Sequence, residues 1–403
     1  MKRLKSKPTF AGVAAFMIIT LFIFNTNGNA QFDVNLNEIQ VIENPNDRFD
    51  FQISKSRYNR VEGLFFNLGS QYNPSPSLGV NLICEIGYGF CNEEWRYKAG
   101  IIKKFNQLNT TTISGSYFDE TATLDDWVIG YWENSLAALF FKDDFKDYFN
   151  RKGFRLSLFQ KFFSVHQVVI EYAAYEYASM NRKTNWSLFG GDRKFRANPS
   201  IIEGKENNLK VLAIFDWRDN PLYPIDGWYF ETIFERTKRD FKTQGLFLNV
   251  KRYQGTFMNQ ICIIQGMFGA RKGSHAQQHL VDIGGVGSLR GYRDKEFSDN
   301  NRVILVHLDY RFNQDILSRL PLKWLPFYDD LSLILFSDAG WARLVDPNKG
   351  LFEGFEKSVM KAFKNDVGIS VAFSEELARI DFAKRTDRAN NTWRITFRLL
   401  PKF

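Results

Sequence analysis

One stretch of the chain interrupts a regular series of alternating segments: Gly284-Gly285-Val286-Gly287-Ser288-Leu289-Arg290-Gly291-Tyr292. Its four glycines permit positive φ angles, so the backbone can fold tightly. Arg290, just before the last glycine, is its one long charged side chain. The glycine spacing fits neither a phosphate-binding loop nor a dinucleotide-binding motif. The stretch therefore predicts a loop that turns back and carries a guanidinium into a confined space.

The composition favours a membrane β-barrel. Of 403 residues, 40 are Phe, 16 Tyr and 9 Trp, yet the mean hydropathy is −0.32. Many aromatic residues without long apolar runs are typical of strands in which only alternate residues meet lipid. After the amino terminus, no stretch has the roughly 18 uncharged apolar residues of a membrane helix. Because lipid offers no partner to an open sheet edge, an embedded chain of this kind must close into a barrel.

The amino terminus has the parts of a secretory signal peptide over residues 1–30. Its features are a basic start (Lys2, Arg3, Lys5, Lys7), an apolar stretch over Phe10–Phe24 and small residues at Gly28-Asn29-Ala30. Export excludes nucleic acid as a partner in practice, and the net charge of +8 is compatible with an anionic lipid surface. Residues 31–55 are polar and irregular and predict a short periplasmic leader. Residues 56–403 are the predicted barrel.

Fifteen runs of the chain have strand character. They are 57–69, 78–88, 94–105, 109–118, 153–163, 167–178, 208–217, 227–236, 245–253, 257–270, 303–312, 331–341, 366–373, 378–385 and 392–400. A bacterial barrel with both ends in the periplasm has an even number of strands. Counting back from Phe403 puts the glycine-rich stretch on the outer side and the turn at 216–227 on the periplasmic side. We therefore expect a sixteenth strand before Asn208, within 180–206.

Two regions leave alternatives open. Within 119–152, apolar residues fall near helical spacing. They predict an amphipathic helix on the barrel rim or at the membrane interface, or equally a helical loop packed on its own barrel. Cys84 and Cys91 flank a Gly-Tyr-Gly turn and are either a disulfide or two unlinked thiols, whereas Cys262 is expected to pack as a small hydrophobe.

Strand parity then predicts what faces the lumen after the glycine-rich stretch. The inward set is His307, Asp309, Arg311, Phe336, Asp338, Gly340, Asp366, Gly368, Ser370, Arg379, Asp381 and Arg385. Four aspartates thus lie on consecutive strands. A guanidinium reaching this wall would find a bidentate carboxylate partner, and we call that contact the latch. In the alternative, the carboxylates line a solvated lumen and pair with Arg311, Arg379 and Arg394.

These residues resemble a known family. Leu289-Arg290-Gly291-Tyr292 after a Gly-Gly pair is similar to the Val-Arg-Gly-Phe/Tyr loop motif of the BamA/TamA superfamily (bacterial surface antigen barrels), which includes two-partner secretion transporters. Phe336-Ser337-Asp338-Ala339-Gly340 fits its Phe-x-Asp-x-Gly strand motif. Further similar features follow the family's order: the turn at 216–227, Asp366-Val367-Gly368, Ile380-Asp381-Phe382-Ala383 and the terminal Phe.

The resemblance implies a sixteen-stranded antiparallel transmembrane β-barrel of the bacterial outer membrane, with an extracellular loop folded into the lumen. It implies that Asp338 holds Arg290, and it implies no cofactor or metal. The expected latch residues are Gly284, Gly285, Leu289, Arg290, Gly291, Tyr292, Asp338, Gly340, Asp366 and Gly368. Trp393, Phe397 and Phe403 of the last strand form the expected assembly signal. Family members usually carry periplasmic POTRA domains, but the leader over 31–55 is too short for one, so we expect a barrel-only form here.

The family's activity is inserting barrels into the outer membrane or passing polypeptides across it. We therefore expect a role in insertion or translocation, with outer-membrane lipid, client outer-membrane or secreted polypeptides and a separate periplasmic protein as partners. The alternative is a passive channel or structural barrel plugged by its own loop. An enzyme is not expected, because none of the four histidines lies in a Ser-containing motif.

Overall fold

The computed structural model describes residues 49–52, 55–75, 78–105, 110–163, 165–319, 321, 331–373, 378–388 and 392–399. The predicted signal peptide, most of the predicted leader and Phe403 lie outside the described residues.

The described residues form nineteen strands and two α-helices. The strands are β1 (Phe49–Gln52), β2 (Arg57–Asn59), β3 (Gly63–Ser75), β4 (Val80–Gly89), β5 (Glu94–Phe105), β6 (Thr111–Ala122), β7 (Phe149–Phe162), β8 (His166–Ser179), β9 (Gly204–Asp216), β10 (Gly227–Arg239), β11 (Thr243–Gly255), β12 (Ile261–Gly273), β13 (Val281–Ile283), β14 (Phe297–Asn300), β15 (Arg302–Phe312), β16 (Leu331–Arg343), β17 (Lys364–Phe373), β18 (Ala378–Arg385) and β19 (Arg394–Leu399). The helices are α1 (Tyr131–Phe141) and the single turn α2 (Gln314–Leu317).

Seventeen of these strands form one antiparallel sheet. From β3 to β12 each strand pairs with the next in sequence. β12 then pairs with β15, and the order continues to β19. β13 and β14 form a separate hairpin within the loop at 274–301, which we call the glycine loop. The predicted all-β antiparallel architecture is confirmed, and each of the fifteen predicted runs overlaps a strand of this sheet.

The predicted place of the missing strand is wrong. Residues 180–203 contain no strand. Instead β1, which lies within the predicted leader, and β2 both pair with β3 along the edge opposite to β4. The predicted run 57–69 is cut by a tight turn in which the Asn59 side chain accepts hydrogen bonds from the backbone of Val61 (3.0 Å) and Glu62 (2.7 Å). Gly63 completes the turn with a φ of 66°, so one apparent strand is two.

The two faces of the sheet differ in polarity, as β15 illustrates. His307 and Asp309 are buried, whereas Val306 and Leu308 are 39% and 42% exposed. We call the face with buried polar side chains the inner face. Neighbouring strands add to the exposed apolar face with Leu335, Val367, Ile369, Ile395 and Phe397. Apolar residues outside and polar residues inside are the alternation of membrane barrels.

The helix α1 contacts both the first and the last strands of the sheet. The backbone amide of Tyr58 on β2 donates to Ser135 Oγ of α1 at 3.4 Å, and Glu133 of α1 accepts from Arg398 Nε on β19 at 2.5 Å. The sheet therefore curls until its first and last strands both reach α1. Ala138 and Leu139 are buried in one cluster with Tyr58 of β2 and Phe195, so the helix packs on its own sheet.

Among the described residues, no helix is long and apolar enough to cross a membrane. All three cysteines are free; Cys84 and Cys91 are exposed and Cys262 is half-buried.

Candidate functional site

The backbone of the glycine loop is a compact turn. Gly284, Gly285 and Gly287 have φ angles of 117°, 82° and 77°. The amide of Gly285 donates to the carbonyl of Leu289 at 2.9 Å, which closes the turn. A Cβ atom on Gly285 would lie 1.9 Å from Asp294 Oδ1. Glycine is required here both for the backbone angle and for the close approach.

Arg290 extends from this turn onto the inner face. Its Nε donates to Asp338 Oδ2 at 2.8 Å and its Nη2 to Asp338 Oδ1 at 2.6 Å, a bidentate pair. The same Nη2 donates to Asp309 Oδ1 at 2.8 Å. The guanidinium lies 3.6 Å from the centroid of the Phe336 ring, which adds a cation–π contact. The structure thus brings the loop arginine together with two strands.

The pair is removed from solvent. Arg290 is 7% exposed and Asp338 is 0% exposed. Burial alone would lower the pKa of Arg290, but the carboxylates of Asp309 and Asp338 hold that pKa well above its ordinary value. Removing one partner of a buried pair leaves an uncompensated charge and costs roughly 3–5 kcal/mol. The position of the loop therefore depends on both partners being present.

The rest of the turn reaches two more strands. The amide of Gly291 donates to Asp366 Oδ2 at 2.9 Å on β17. The hydroxyl of Tyr292 donates to the carbonyl of Asn365 at 3.2 Å. The Arg385 guanidinium of β18 lies 4.2 Å from the centroid of the Tyr292 ring. Because Arg290 contacts β15 and β16, the turn spans four consecutive strands.

Two wall glycines make room for these contacts. A Cβ on Gly368 would lie 2.3 Å from Phe336 Cζ, so its absence allows the ring to lie under Arg290. A Cβ on Gly340 would lie 3.0 Å from Leu289 Cδ1, in tight contact with the loop. The structure thus places all ten predicted latch residues in or directly beneath the turn.

Not every predicted inward carboxylate contacts Arg290. Asp381 pairs with Arg379 Nε at 2.9 Å and accepts from Ser370 Oγ at 2.6 Å. Arg394 donates to the carbonyl of Tyr292 and, from Nη2, to Asp294 Oδ2 at 2.6 Å. Arg394 on β19 therefore also helps to hold the glycine loop on the inner face, which strand parity did not predict.

A second tether of the glycine loop was not predicted. Lys295 Nζ lies 2.8 Å from Asp125 Oδ2, 2.5 Å from Asp147 Oδ2 and 3.2 Å from Asp282 Oδ2. Burial would lower the pKa of Lys295, but these carboxylates raise it above its ordinary value. Asp125 and Asp147 belong to the segment 123–148 that contains α1, so the glycine loop and that segment are joined. The acid-rich composition of 119–152 was the available signal, but it does not say which cation these acids meet.

One buried cluster has the donor types of a metal site. Glu206, Glu235 and His279 can each direct one ligand atom into a group within 4.8 Å. Arg271 takes part in the cluster, with its Nη1 2.7 Å from His279 Nδ1 and its Nη2 2.8 Å from Glu235 Oε2. A guanidinium has only donors, so His279 Nδ1 accepts and Nε2 carries the proton toward Glu206 Oε2 at 2.7 Å. Hydrogen bonds from Arg271 therefore join Glu235 to His279, and His279 lies in close contact with Glu206.

Two of the predicted assembly-signal residues, Trp393 and Phe397, lie outside the cluster of latch residues. Trp393 precedes β19 and Phe397 lies on its exposed apolar face, where they are 53% and 56% exposed.

The chain was compared with known families, curated proteins and solved structures. Residues 40–213 match the C-terminal domain of a family of unknown function (DUF5686). No curated protein matches the sequence. Among solved structures, BamA from Haemophilus ducreyi lacking POTRA domains 1–3 is similar with a TM-score of 0.55 and 13% identity, covering 87% of this chain and 68% of that one. The likeness shows a shared β-barrel fold.

Two CdiB proteins are also similar, at lower scores. CdiB from Escherichia coli has 12% identity and a TM-score of 0.43, covering 86% of this chain and 60% of that one. CdiB from Acinetobacter baumannii has 13% identity and a TM-score of 0.41, covering 87% of this chain and 57% of that one.

Proposed function

We propose that this chain is an exported outer-membrane β-barrel that assists the insertion or translocation of other polypeptides. The shared barrel fold and the apolar exposed face support a membrane location. Because β1 and β2 occupy the same edge of β3, the seventeen strands of the sheet give sixteen positions around the barrel. An even number returns both ends of the barrel to the periplasmic side.

In this arrangement the glycine loop is extracellular and folds into the lumen. Its support is the latch, in which Arg290, Gly291 and Tyr292 contact β15 to β18. The Lys295 tether joins the loop to the segment carrying α1. The loop is thus fixed at two places inside the barrel, and it closes the lumen in the resting state.

The observation that carries the proposed activity concerns the meeting place of the first and last strands, which we call the seam. The edge amides of Tyr58 on β2 and Leu399 on β19 both donate to side chains of α1, at 3.4 and 3.1 Å. An exposed strand edge is a template for an added strand, and strand addition is a general mode of polypeptide recognition. We propose that client strands engage the chain at this seam.

Three kinds of partner follow. The exposed apolar face meets outer-membrane lipid. Client outer-membrane or secreted polypeptides meet the seam or the lumen, and a separate periplasmic protein delivers them.

A passive channel closed by its own loop is the second candidate. It is favoured by the same latch, since a loop fixed by buried ion pairs is also what a plugged pore requires. The two candidates differ in what the chain does to another polypeptide.

Reconstitution separates them. The full chain is placed in liposomes, and the folding rate of a urea-denatured outer-membrane barrel added from outside is followed by gel mobility. The proposal predicts faster folding than in liposomes holding an equal amount of an unrelated closed barrel. Equal rates in the two preparations, with steady conductance in planar bilayers that rises in Arg290→Ala, would establish the channel instead.

A further inference from the structure

The helix α1 contacts the inner face of the first strand. Arg57 of β2 pairs in register with Phe65, which is buried with Asn67 on the inner face of β3. Arg57 Nη1 approaches the hydroxyl of Tyr131 at 3.4 Å, and that hydroxyl donates to the carbonyl of Lys55. The amino-terminal turn of α1 therefore lies inside the barrel.

The same helix also covers the outer face of that strand. Tyr58 pairs in register with Leu64, on the face where Leu68 is 48% exposed. Tyr58 is nevertheless only 5% exposed, because it packs in one cluster with Ala138 and Leu139 of α1 and with Phe195. A helix that contacts both faces of an edge strand passes that edge. The carboxyl-terminal turns of α1 are thus outside the wall.

The helix α1 also contacts the last strand, β19, through Glu133. Glu133 accepts hydrogen bonds from Arg398 Nε at 2.5 Å and Nη2 at 3.1 Å, and from the backbone amide of Leu399 at 3.1 Å. Glu133 is 5% exposed and Arg398 is 1% exposed. Two residues further along α1, Ser135 accepts the amide of Tyr58 on the first strand. One helix thus takes an edge amide from each strand.

The outer end of α1 bears aromatic residues. Phe141 and Phe189 are 50% and 63% exposed, and Phe189 stacks on Phe140 with 5.8 Å between ring centroids. The amide of Phe189 donates to the carbonyl of Phe140 at 2.8 Å, which fixes this patch to the helix. Exposed apolar side chains such as these gain free energy when they are transferred from water to an apolar phase. The patch is consistent with a helix end that leaves the barrel wall toward lipid.

We propose that α1 is a wedge that fills the seam and prevents an incoming strand from pairing with β2 or β19. The Glu133–Arg398 pair holds the wedge in place, and the barrel accepts a strand only when α1 withdraws. This inference rests on the proposed function for its consequence, because a withdrawn wedge matters only if the seam receives clients. The position of α1 in the seam can be tested without any client.

The first test measures hydrogen exchange of the full chain in liposomes. Glu133→Gln removes the charge while keeping the shape, and it leaves Arg398 buried without its counter-charge. Glu171→Gln is the matched control, because Glu171 pairs with Arg155 at 3.3 Å on β7 and β8, away from the seam. We expect exchange to rise by about tenfold or more over 57–59 and 394–399 in Glu133→Gln and to stay unchanged there in Glu171→Gln. Unchanged exchange over both seam segments in Glu133→Gln overturns the wedge.

The second test uses a strand as probe: a fluorescent peptide with the sequence of residues 392–399. We expect Glu133→Gln to bind it about tenfold more tightly than the wild-type chain, since the edge amides are released. A peptide of scrambled order should show no such gain. Equal gains for both peptides, or no gain for either, contradict a strand site beneath α1.

The third test separates this inference from the proposed function. Tyr58→Cys and Ala138→Cys are joined by a short reducible linker in a chain whose natural cysteines are replaced by Ser. We expect the lock to abolish the acceleration of client folding and reduction to restore it. If the locked chain accelerates folding as well as the wild type, the wedge is wrong and the function stands. If the wild type never accelerates folding, the function is wrong, and the exchange measurement alone decides the wedge.

Discussion

The glycine loop and the helix α1 both contact the inner face through a buried arginine–carboxylate pair, but they are built differently. In the loop, Arg290 meets Asp338 across 48 residues of chain, and its partners lie on consecutive strands. In the helix, Glu133 meets Arg398 across 265 residues, at opposite ends of the strand order. The loop thus holds together consecutive strands, β15 to β18, whereas the helix connects the first strand, β2, with the last strand, β19. We infer that the loop controls the lumen and that the helix controls the seam.

The largest expected effect comes from breaking the loop contact. Arg290→Ala and Asp338→Ala should each lower the free energy of unfolding by roughly 3–5 kcal/mol, because each leaves a buried partner charge. The double variant should lose clearly less than the sum of the two, because both changes remove the same contact. Urea unfolding in lipid vesicles, followed by tryptophan fluorescence, measures all three variants.

The control for this cycle is Asp226→Ala. Asp226 pairs with Arg252 at 2.9 Å, but its side chain is 52% exposed. A surface pair contributes about 0–1 kcal/mol, so little change is expected. Strict additivity of Arg290→Ala and Asp338→Ala would show that no latch exists.

A smaller effect is expected where the wall gives space to the loop. Gly368→Ala should cost about 1–3 kcal/mol, since the new Cβ would lie 2.2 Å from the carbonyl oxygen of Phe382 and 2.3 Å from Phe336 Cζ, the ring under Arg290. Gly266→Ala in β12 is the matched control, because nothing lies within 4 Å of its Cβ position. Unfolding midpoints compare the two. Because Gly→Ala restricts the unfolded chain and by itself stabilises the fold, equal changes in the two variants would contradict the close packing at Gly368.

The tether between loop and helix segment should matter less. Lys295→Met leaves the carboxylates of Asp125, Asp147 and Asp282 without their shared cation, and we expect a loss of about 1–2 kcal/mol. Lys349→Met is the control, since its pair with Glu353 is 59% and 57% exposed. The temperature at which the gel band of the folded protein disappears measures the stability of both variants. An unchanged Lys295→Met would indicate that loop and helix segment move independently.

The weakest effect concerns pH. Burial would raise the pKa of Asp147, but Lys295 and Arg196 lower it below its ordinary value. A depressed carboxyl pKa stabilises the fold above the unfolded pKa of about 4, and that contribution is lost as the pH falls through the folded value. The stability difference between wild type and Asp147→Asn should therefore be constant from about pH 5 to 9 and shrink below about pH 4. A difference that grows on acidification contradicts the assignment.

Sequence pattern predicted most of the sheet and much of the loop contact. Alternation identified fifteen strands, and parity placed Asp309, Asp338 and Asp366 on one wall because a strand's side chains repeat every second residue. The first strand was missed because a three-residue turn divides 57–69 and because β1 has only four residues. Such short segments do not show a clear alternation.

The seam could not be predicted in the same way. Nothing in the spacing around Glu133 or Arg398 indicates that they meet, because the contact depends on how far the whole sheet curls. The spacing of apolar residues within 119–152 fitted two placements of α1 equally well. One was a helix on the barrel rim or at the membrane interface, and the other was a helical loop packed on its own barrel. Its position at both edges follows only from the register of β2 on β3 and from the hydrogen bonds to β19.

The most direct test of the account is photo-crosslinking from the seam during client folding in liposomes. A photoreactive amino acid replaces Ile395 on β19 or, as the control, Leu156 on β7; these side chains are 64% and 54% exposed on the apolar face. If clients bind at the seam, client adducts form from position 395 and none above background form from position 156. Equal adducts from both positions, or adducts from 156 alone, would contradict a client site at the seam.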